Sequence, residues 1–200
     1  MANPEWPVKT AEALHHTREY GDFTIAIYDN FGKEHVVLIR GSVKDQESVP
    51  VRVQSECLPG TALESADCDC QDQIKGSLEI ISSNPVGVFL YMREEGRGYG
   101  LTTKIRALAN KNSGMDTFKA TEALGLPSDI RDYKDAARIL ISLGIGSVDL
   151  ITNNPNKISG LREEGVIIAG RTPIEVIATD ITRLHLRAKK EAGHYLTQPL

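Results

Sequence analysis

Cys57, Cys68 and Cys70 are the only thiols of the chain and fall within fourteen residues, spaced C-x10-C-x-C in SECLPGTALESADCDCQDQ. Three sulfur ligands without a fourth are what an open zinc site needs, the remaining position being left for water or substrate. Cys68 and Cys70 flank Asp69 in an acidic run with Glu64, Asp67 and Asp72. That setting suits a ligand loop better than two small core positions. An odd count leaves one thiol over after any disulfide, and the N-terminus shows no secretory pattern. None of the five histidines, His15, His16, His35, His185 and His194, is near the cysteines in sequence. The pattern reads as a catalytic metal site rather than a closed structural one, although a distant His or Asp would still close it.

Three further segments carry chemistry-bearing residues. After VGVFLYM the chain reads MREEGRGYGLTTKIRALAN, where Gly96, Gly98 and Gly100 lead into a helix with Arg93, Arg97, Lys104 and Arg106 nearby. A strand, a glycine-rich turn and a helix start together offer free N–H groups and a favourable dipole to an anion. The spacing matches neither the dinucleotide nor the P-loop fingerprint, and alone it is also an ordinary tight turn. DLITNNPNKISGL places Thr152, Asn153, Asn154 and Lys157 between a strand and a helix, where α/β folds collect ligands. Asn-Asn-Pro is equally an ordinary turn and helix cap. In LGLPSDIRDYKDA, Asp129 precedes Arg131 by two residues. Such pairs are usually surface ion pairs, and only company with a metal would make this one catalytic.

The elements that must position these residues alternate. Strands are expected over Phe23 to Asp29, His35 to Gly41, Val49 to Glu56 and Val86 to Met92, with shorter ones over Ser147 to Ile151 and Val166 to Gly170. Helices are expected over Gln71 to Ser83, Leu101 to Asn112, Thr117 to Leu124, Tyr133 to Leu143, near Lys157 to Glu164, and over Ile181 to Ala192. The last carries a basic face of Arg183, Arg187 and Lys189. Residues 1–20 show no clear period and read as an N-terminal extension. Residues 21–200 read as a single α/β domain with a mixed β-sheet flanked by helices. At 200 residues, 40% hydrophobic and 25% charged, the chain has the size and composition of one globular domain. A net charge of −4 argues against a nucleic-acid or membrane-surface role, so an anionic substrate must be held by local cations. No apolar run reaches the ~20 residues of a membrane span, and a reducing, cytoplasmic setting is expected.

Taken together, R-V-x-S-E-C, the cysteine cluster, E-G-R-x-x-G-L, K-I-R-A, D-x-R-D and T-N-N-P-x-K occur in one order between Gly41 and Gly170. In this the chain resembles the GTP cyclohydrolase II family, zinc enzymes that open the imidazole ring of GTP at the head of riboflavin synthesis. The resemblance implies one zinc per chain on Cys57, Cys68 and Cys70. It implies nucleotide contacts from Arg52, Ser55, Glu56, Gln73, Glu95, Gly96, Arg97, Thr117, Thr152 and Lys157. Asp129 matches the proton acceptor, and Arg131 the residue proposed to attack the α-phosphate. Mg2+ on the triphosphate and a homodimer are implied as well. The forty residues before Gly41 are too few for the butanone-phosphate synthase domain fused to some members, so a stand-alone enzyme is expected.

Four positions depart from the family pattern. Leu108 stands where a tyrosine associated with ring opening and deformylation is usual, and leucine can neither donate a hydrogen bond nor relay a proton. Gln54 replaces a histidine, Asp67 an arginine and Gln71 a glycine. Either the product retains its formyl group or Leu108 is a packing exchange. A second reading is a catalytically silent guanine-nucleotide-binding zinc protein with a regulatory role. A zinc ribbon for nucleic acid lacks both a fourth ligand and a basic surface.

Overall fold

A computed structural model describes residues 6–197. Seven strands follow the β-branched and aromatic runs: β1 Val8–His16, β2 Asp22–Asn30, β3 Lys33–Arg40, β4 Val49–Ser55, β5 Gly87–Met92, β6 Val148–Ile151 and β7 Ile168–Thr172. They form one sheet in the order β1-β2-β3-β5-β4-β6-β7. β1 to β2, β2 to β3 and β3 to β5 are antiparallel, whereas β4 to β6 and β6 to β7 are parallel, giving the mixed sheet expected. The hairpin between β2 and β3 turns through Phe31 and Gly32, both at positive φ (52° and 84°), the backbone that matches strand twist in a two-residue loop.

The helices are α1 Leu58–Thr61, α2 Cys70–Ser82, α3 Leu101–Asn112, α4 Lys119–Glu122, α5 Lys134–Ser142, α6 Pro155–Glu163 and α7 Arg183–Glu191. The chain forms two compact units, one running to Gln54 and including Ile74–Arg93 and Asp132–Ile174, the other made of Ser55–Gln73, Glu94–Arg131 and the chain from Glu175. The first holds the sheet. Alternate residues of β3 and β5 feed different clusters: Val37, Val88 and Leu90 pack with Ala136, Ile139, Leu140 and Leu161 of α5 and α6, while Leu38, Phe89 and Tyr91 join Ile74, Leu78 and Ile81 of α2. Helices therefore cover both faces, as the period-two alternation of strand side chains requires.

Two elements differ from sequence expectation. Val8–His16, read as part of an extension, is the edge strand β1 and pairs with β2 along its length. Nearly all its side chains are exposed, so neither face leaves an apolar period to read. The helix expected over Thr117 to Leu124 shrinks to one turn. Asp116 Oδ1 accepts from the N–H groups of Phe118 and Lys119 and fixes its start, and Gly125 at φ 75° stops it.

Candidate metal centre and anion turn

In the second unit the sulfur atoms of Cys57, Cys68 and Cys70 all lie within 4.8 Å of one another, with Cys57 and Cys68 at 3.7 Å. Cys57 caps the single turn α1, Cys68 lies in the acidic loop, and Cys70 opens α2. The convergence depends on Gly60. A Cβ there would overlap Cys68 Sγ and stand 2.9 Å from Cys57 Sγ and 3.3 Å from Cys70 Cβ. Hydrogen bonds from Cys68 and Cys70, then the Lys104 ammonium, outweigh burial and hold Cys57 as a thiolate far below the usual thiol range. Bonding to Cys57, together with burial, raises Cys68 and Cys70. Three convergent, soft donors can hold one metal ion.

The glycine turn is bound to this cluster through Glu95, itself buried. Its Oε2 accepts from Leu58 N–H at 2.6 Å, and its Oε1 accepts from Gly96 N–H at 2.8 Å and from Lys104 Nζ at 2.6 Å. Lys104 Nζ also donates to Cys57 Sγ at 2.9 Å, so one ammonium serves a carboxylate and a thiolate. Gly96 and Arg97 both sit at φ near 60°. For arginine that backbone costs roughly 1–2 kcal/mol. Its guanidinium stacks on Phe118, 4.0 Å from the ring centroid, and donates to the carbonyls of Ser128 (3.0 Å) and Thr117 (3.5 Å). Burial and neighbouring Arg131 lower Arg97 to about 10, which leaves it cationic at neutral pH.

Asp129 and Arg131 meet in a two-pronged pair: Nε donates to Oδ1 at 2.9 Å and Nη2 to Oδ2 at 2.5 Å, while Nη1 donates to Ser55 Oγ at 3.0 Å. Burial opposes charge on Asp129, but Arg131 outweighs it and keeps the carboxylate below its usual range. In this arrangement Asp129 orients the guanidinium, and both of its oxygens are engaged. Ile130 N–H donates to Arg97 O at 3.3 Å, which ties this pair to the glycine turn. Thr117 enters through its carbonyl, and Glu56, half-buried, directly precedes Cys57.

A third polar cluster joins residues far apart in the sequence. Asp69, between two of the cysteines, is buried and accepts from Lys189 Nζ at 2.5 Å and from Gln73 Nε2 at 2.6 Å. Burial disfavours its charge, yet Lys189 and His185 hold it well below the carboxylate range. Burial and Lys189 push His185 down to about 4, so its ring is neutral at pH 7. In the sequence Asp69 stands in the acidic run between Cys68 and Cys70 and Lys189 on the basic face of the last helix, with nothing local to relate the two or to mark Gly60. Asp67, a departure from the family pattern, accepts at its carboxylate from Ser65 Oγ at 3.1 Å and at its backbone carbonyl from Lys111 Nζ at 2.9 Å. Leu108 is half-buried, four residues after Lys104 and three before Lys111, so it shares their side of α3.

Arg52, Thr152 and Lys157 belong to the first unit and are buried there. Arg52 donates twice to Gln54 Oε1 (2.6 and 3.1 Å) and to Ile151 O (3.0 Å). Lys157 Nζ donates to Val53 O at 2.5 Å, and Thr152 Oγ1 accepts from Asn154 N–H at 3.0 Å. Asn154 caps α6 through Asn156 N–H, with Pro155 next to it, the cap the motif suggested. The structure thus gathers the cysteines, Ser55, Glu56, Gln73, Glu95, Gly96, Arg97, Thr117, Asp129 and Arg131 in one unit and places Arg52, Thr152 and Lys157 in the unit that holds the sheet.

The family model described as GTP cyclohydrolase II matches residues 8–173. A protein named GTP cyclohydrolase-2 from Picrophilus torridus is 44% identical over 177 residues, covering 88% of this chain and 92% of that protein. A riboflavin biosynthesis protein RibBA from Endomicrobium trichonymphae is 41% identical over 180 residues, 88% of this chain but 45% of its own length. Among solved structures, RibBX of A. baumannii, a two-domain 3,4-dihydroxy-2-butanone 4-phosphate synthase, is 19% identical at a TM-score of 0.45, covering 84% of this chain and 40% of that one. By the family match and the near full-length relative, this chain belongs to the GTP cyclohydrolase II family of hydrolases.

Proposed function

We propose that the chain hydrolyses the imidazole ring of GTP and releases pyrophosphate, giving a ribosylaminopyrimidine 5'-phosphate, with one zinc ion per chain held by Cys57, Cys68 and Cys70. The observation that carries this reading is the convergence of the three sulfurs over Gly60 in the same unit as Arg97 and Arg131. The donor set fits zinc. Bonds of ~2.3 Å in a tetrahedron put sulfurs about 3.8 Å apart, against 3.7 Å for Cys57 and Cys68. When bound, zinc supplies a Lewis acid that brings water to nucleophilic strength near neutral pH.

The remaining work falls to side chains. The triphosphate needs cations, and a chain of net charge −4 concentrates two arginines beside the glycine turn. Ser55 and Asp129 hold the Arg131 guanidinium in place for the α-phosphate. Asp129 takes up a proton only if it releases one of its bonds to Arg131, because both oxygens are engaged. Lys104 offsets part of the negative charge of the thiolates. Mg2+ on the triphosphate, a homodimer, a cytoplasmic setting and a place in riboflavin synthesis belong to the same proposal, and the RibBA relative's name supports the last of these.

Leu108 favours a second reading of how far the reaction runs. Opening of the ring leaves a formamide, and its hydrolysis to formate needs a further proton transfer. On the side of α3 that sends Lys104 to Cys57, Leu108 provides no polar atom. Purified chain incubated with GTP should lose the guanine ultraviolet band as pyrophosphate accumulates. Formate below pyrophosphate supports the retained formyl group, and equal amounts reject it. No turnover, with GTP still bound, would replace the enzyme reading by the regulatory one.

A further inference from the structure

Helix α7 lies beyond residue 173, where the match to the family model ends, yet it contributes to the cysteine loop. Asp69 is 2% exposed, and its carboxylate is enclosed by three side chains. Gln73 comes from α2, the helix that Cys70 itself opens, and is a local contact. Lys189 comes from α7, 120 residues away in sequence, with Nζ 2.5 Å from Oδ1. His185, one turn earlier on α7, has Nε2 3.4 Å from the same oxygen, and neither ring nitrogen has a hydrogen-bond partner among the described residues. A carboxylate this buried is tolerated only when paired. The peptide joining Cys68 to Cys70 therefore keeps its inward position only while α7 delivers an ammonium group.

We propose that Lys189 is a positioning residue for the metal centre: through Asp69 it fixes the Cys68 to Cys70 segment, so that α7 sets how tightly the three sulfurs hold their metal. The inference rests on the metal reading above and assigns it a determinant outside the six motifs. Lys189 touches no ligand atom, and its effect passes through the backbone between two ligands. Residues that orient metal ligands typically change affinity by about 10- to 100-fold when lost.

The test uses the full chain, with zinc affinity measured by competition against a chromophoric chelator and with the thiolate-to-cobalt absorption band of Co2+-loaded protein. Lys189→Met should weaken zinc binding about tenfold or more and alter the cobalt band. Lys189→Arg, which keeps the charge, should recover most of the affinity. Lys190→Met, exposed on the same helix, should bind like the parent. Asp69→Asn combined with Lys189→Met should bind no more weakly than Asp69→Asn alone, because the two residues act through one contact. That pair leaves no buried charge unpaired and carries the test should Lys189→Met alone fail to fold. Unchanged affinity and an unchanged band in Lys189→Met, or an equal loss in Lys190→Met, would overturn the inference while leaving the metal reading intact. Parent protein without stoichiometric zinc would instead overturn the metal reading, and this inference with it.

Discussion

Expected site residues of the same polar kinds are held differently in the two units. In the sheet unit, Arg52 donates to Ile151 O and to the Gln54 amide, Lys157 donates to Val53 O, and Asn154 accepts from Asn156 N–H, and all three are buried. In the other unit three cations meet opposite charges: Arg131 with Asp129, Lys104 with Glu95 and Cys57, Lys189 with Asp69. Polar atoms that close on the backbone hold a fold together, whereas charges that close on each other are poised to exchange partners when a ligand brings new charge. Substitutions at the first set of residues should therefore appear as lost stability, and those at the second as lost chemistry with the fold intact.

The strongest challenge to that division is Cys68→Ser. Metal by elemental analysis should fall from one per chain toward zero and GTP turnover by at least about a thousandfold, since the Lewis acid proposed to activate water is lost. Retained stoichiometric metal would contradict it. Gly60→Ala should follow closely, because the new methyl occupies the space of Cys68 Sγ. Chelator competition should register a loss of zinc affinity while the far-ultraviolet spectrum stays that of the parent. Arg131→Ala is expected to cut turnover by roughly a hundredfold, the scale of removing one charge-stabilising donor, with little change in melting temperature; a fall in stability instead would blur the contrast.

Lys157→Met sharpens the comparison from the other side. It removes the buried donor to the Val53 carbonyl, so urea unfolding should show a loss of about 1–3 kcal/mol. A raised KM at unchanged stability would instead give Lys157 the nucleotide role that the resemblance implies. The smallest effect is a pH dependence. Burial opposes charge on Asp135, but hydrogen bonds from His35 (3.0 Å) and Asn30 (2.8 Å) prevail and depress it. A depressed carboxylate contributes stability above its unfolded value of about 3.9 and loses it as the pH falls through the folded one. Asp135→Asn should accordingly flatten the acid limb of the stability curve, measured by denaturation at pH 5 and pH 3.

The α/β order and most strand positions were legible because burial on both faces leaves long runs of valine, isoleucine and phenylalanine. β1 was not, since its exposed side chains give no period. The cysteines and the Asp129 to Arg131 pair were legible because their spacing is local. Lys189 was not, because its partner lies 120 residues away and a basic helix face is ordinarily a solvated one. Gly60 was visible only as a letter after proline; its significance comes from three sulfurs that the sequence could place near one another but not around it.

Lys104 deserves separate treatment in any evolutionary or engineering account of this chain. Because its ammonium separates a carboxylate from a thiolate, exchanging it for a neutral residue would set Glu95 and Cys57 in direct repulsion. Drift at position 104 should then be tolerated only alongside a compensating change at position 95, so those two sites should vary as a linked pair, and a single replacement at either will report the broken linkage instead of one residue's contribution.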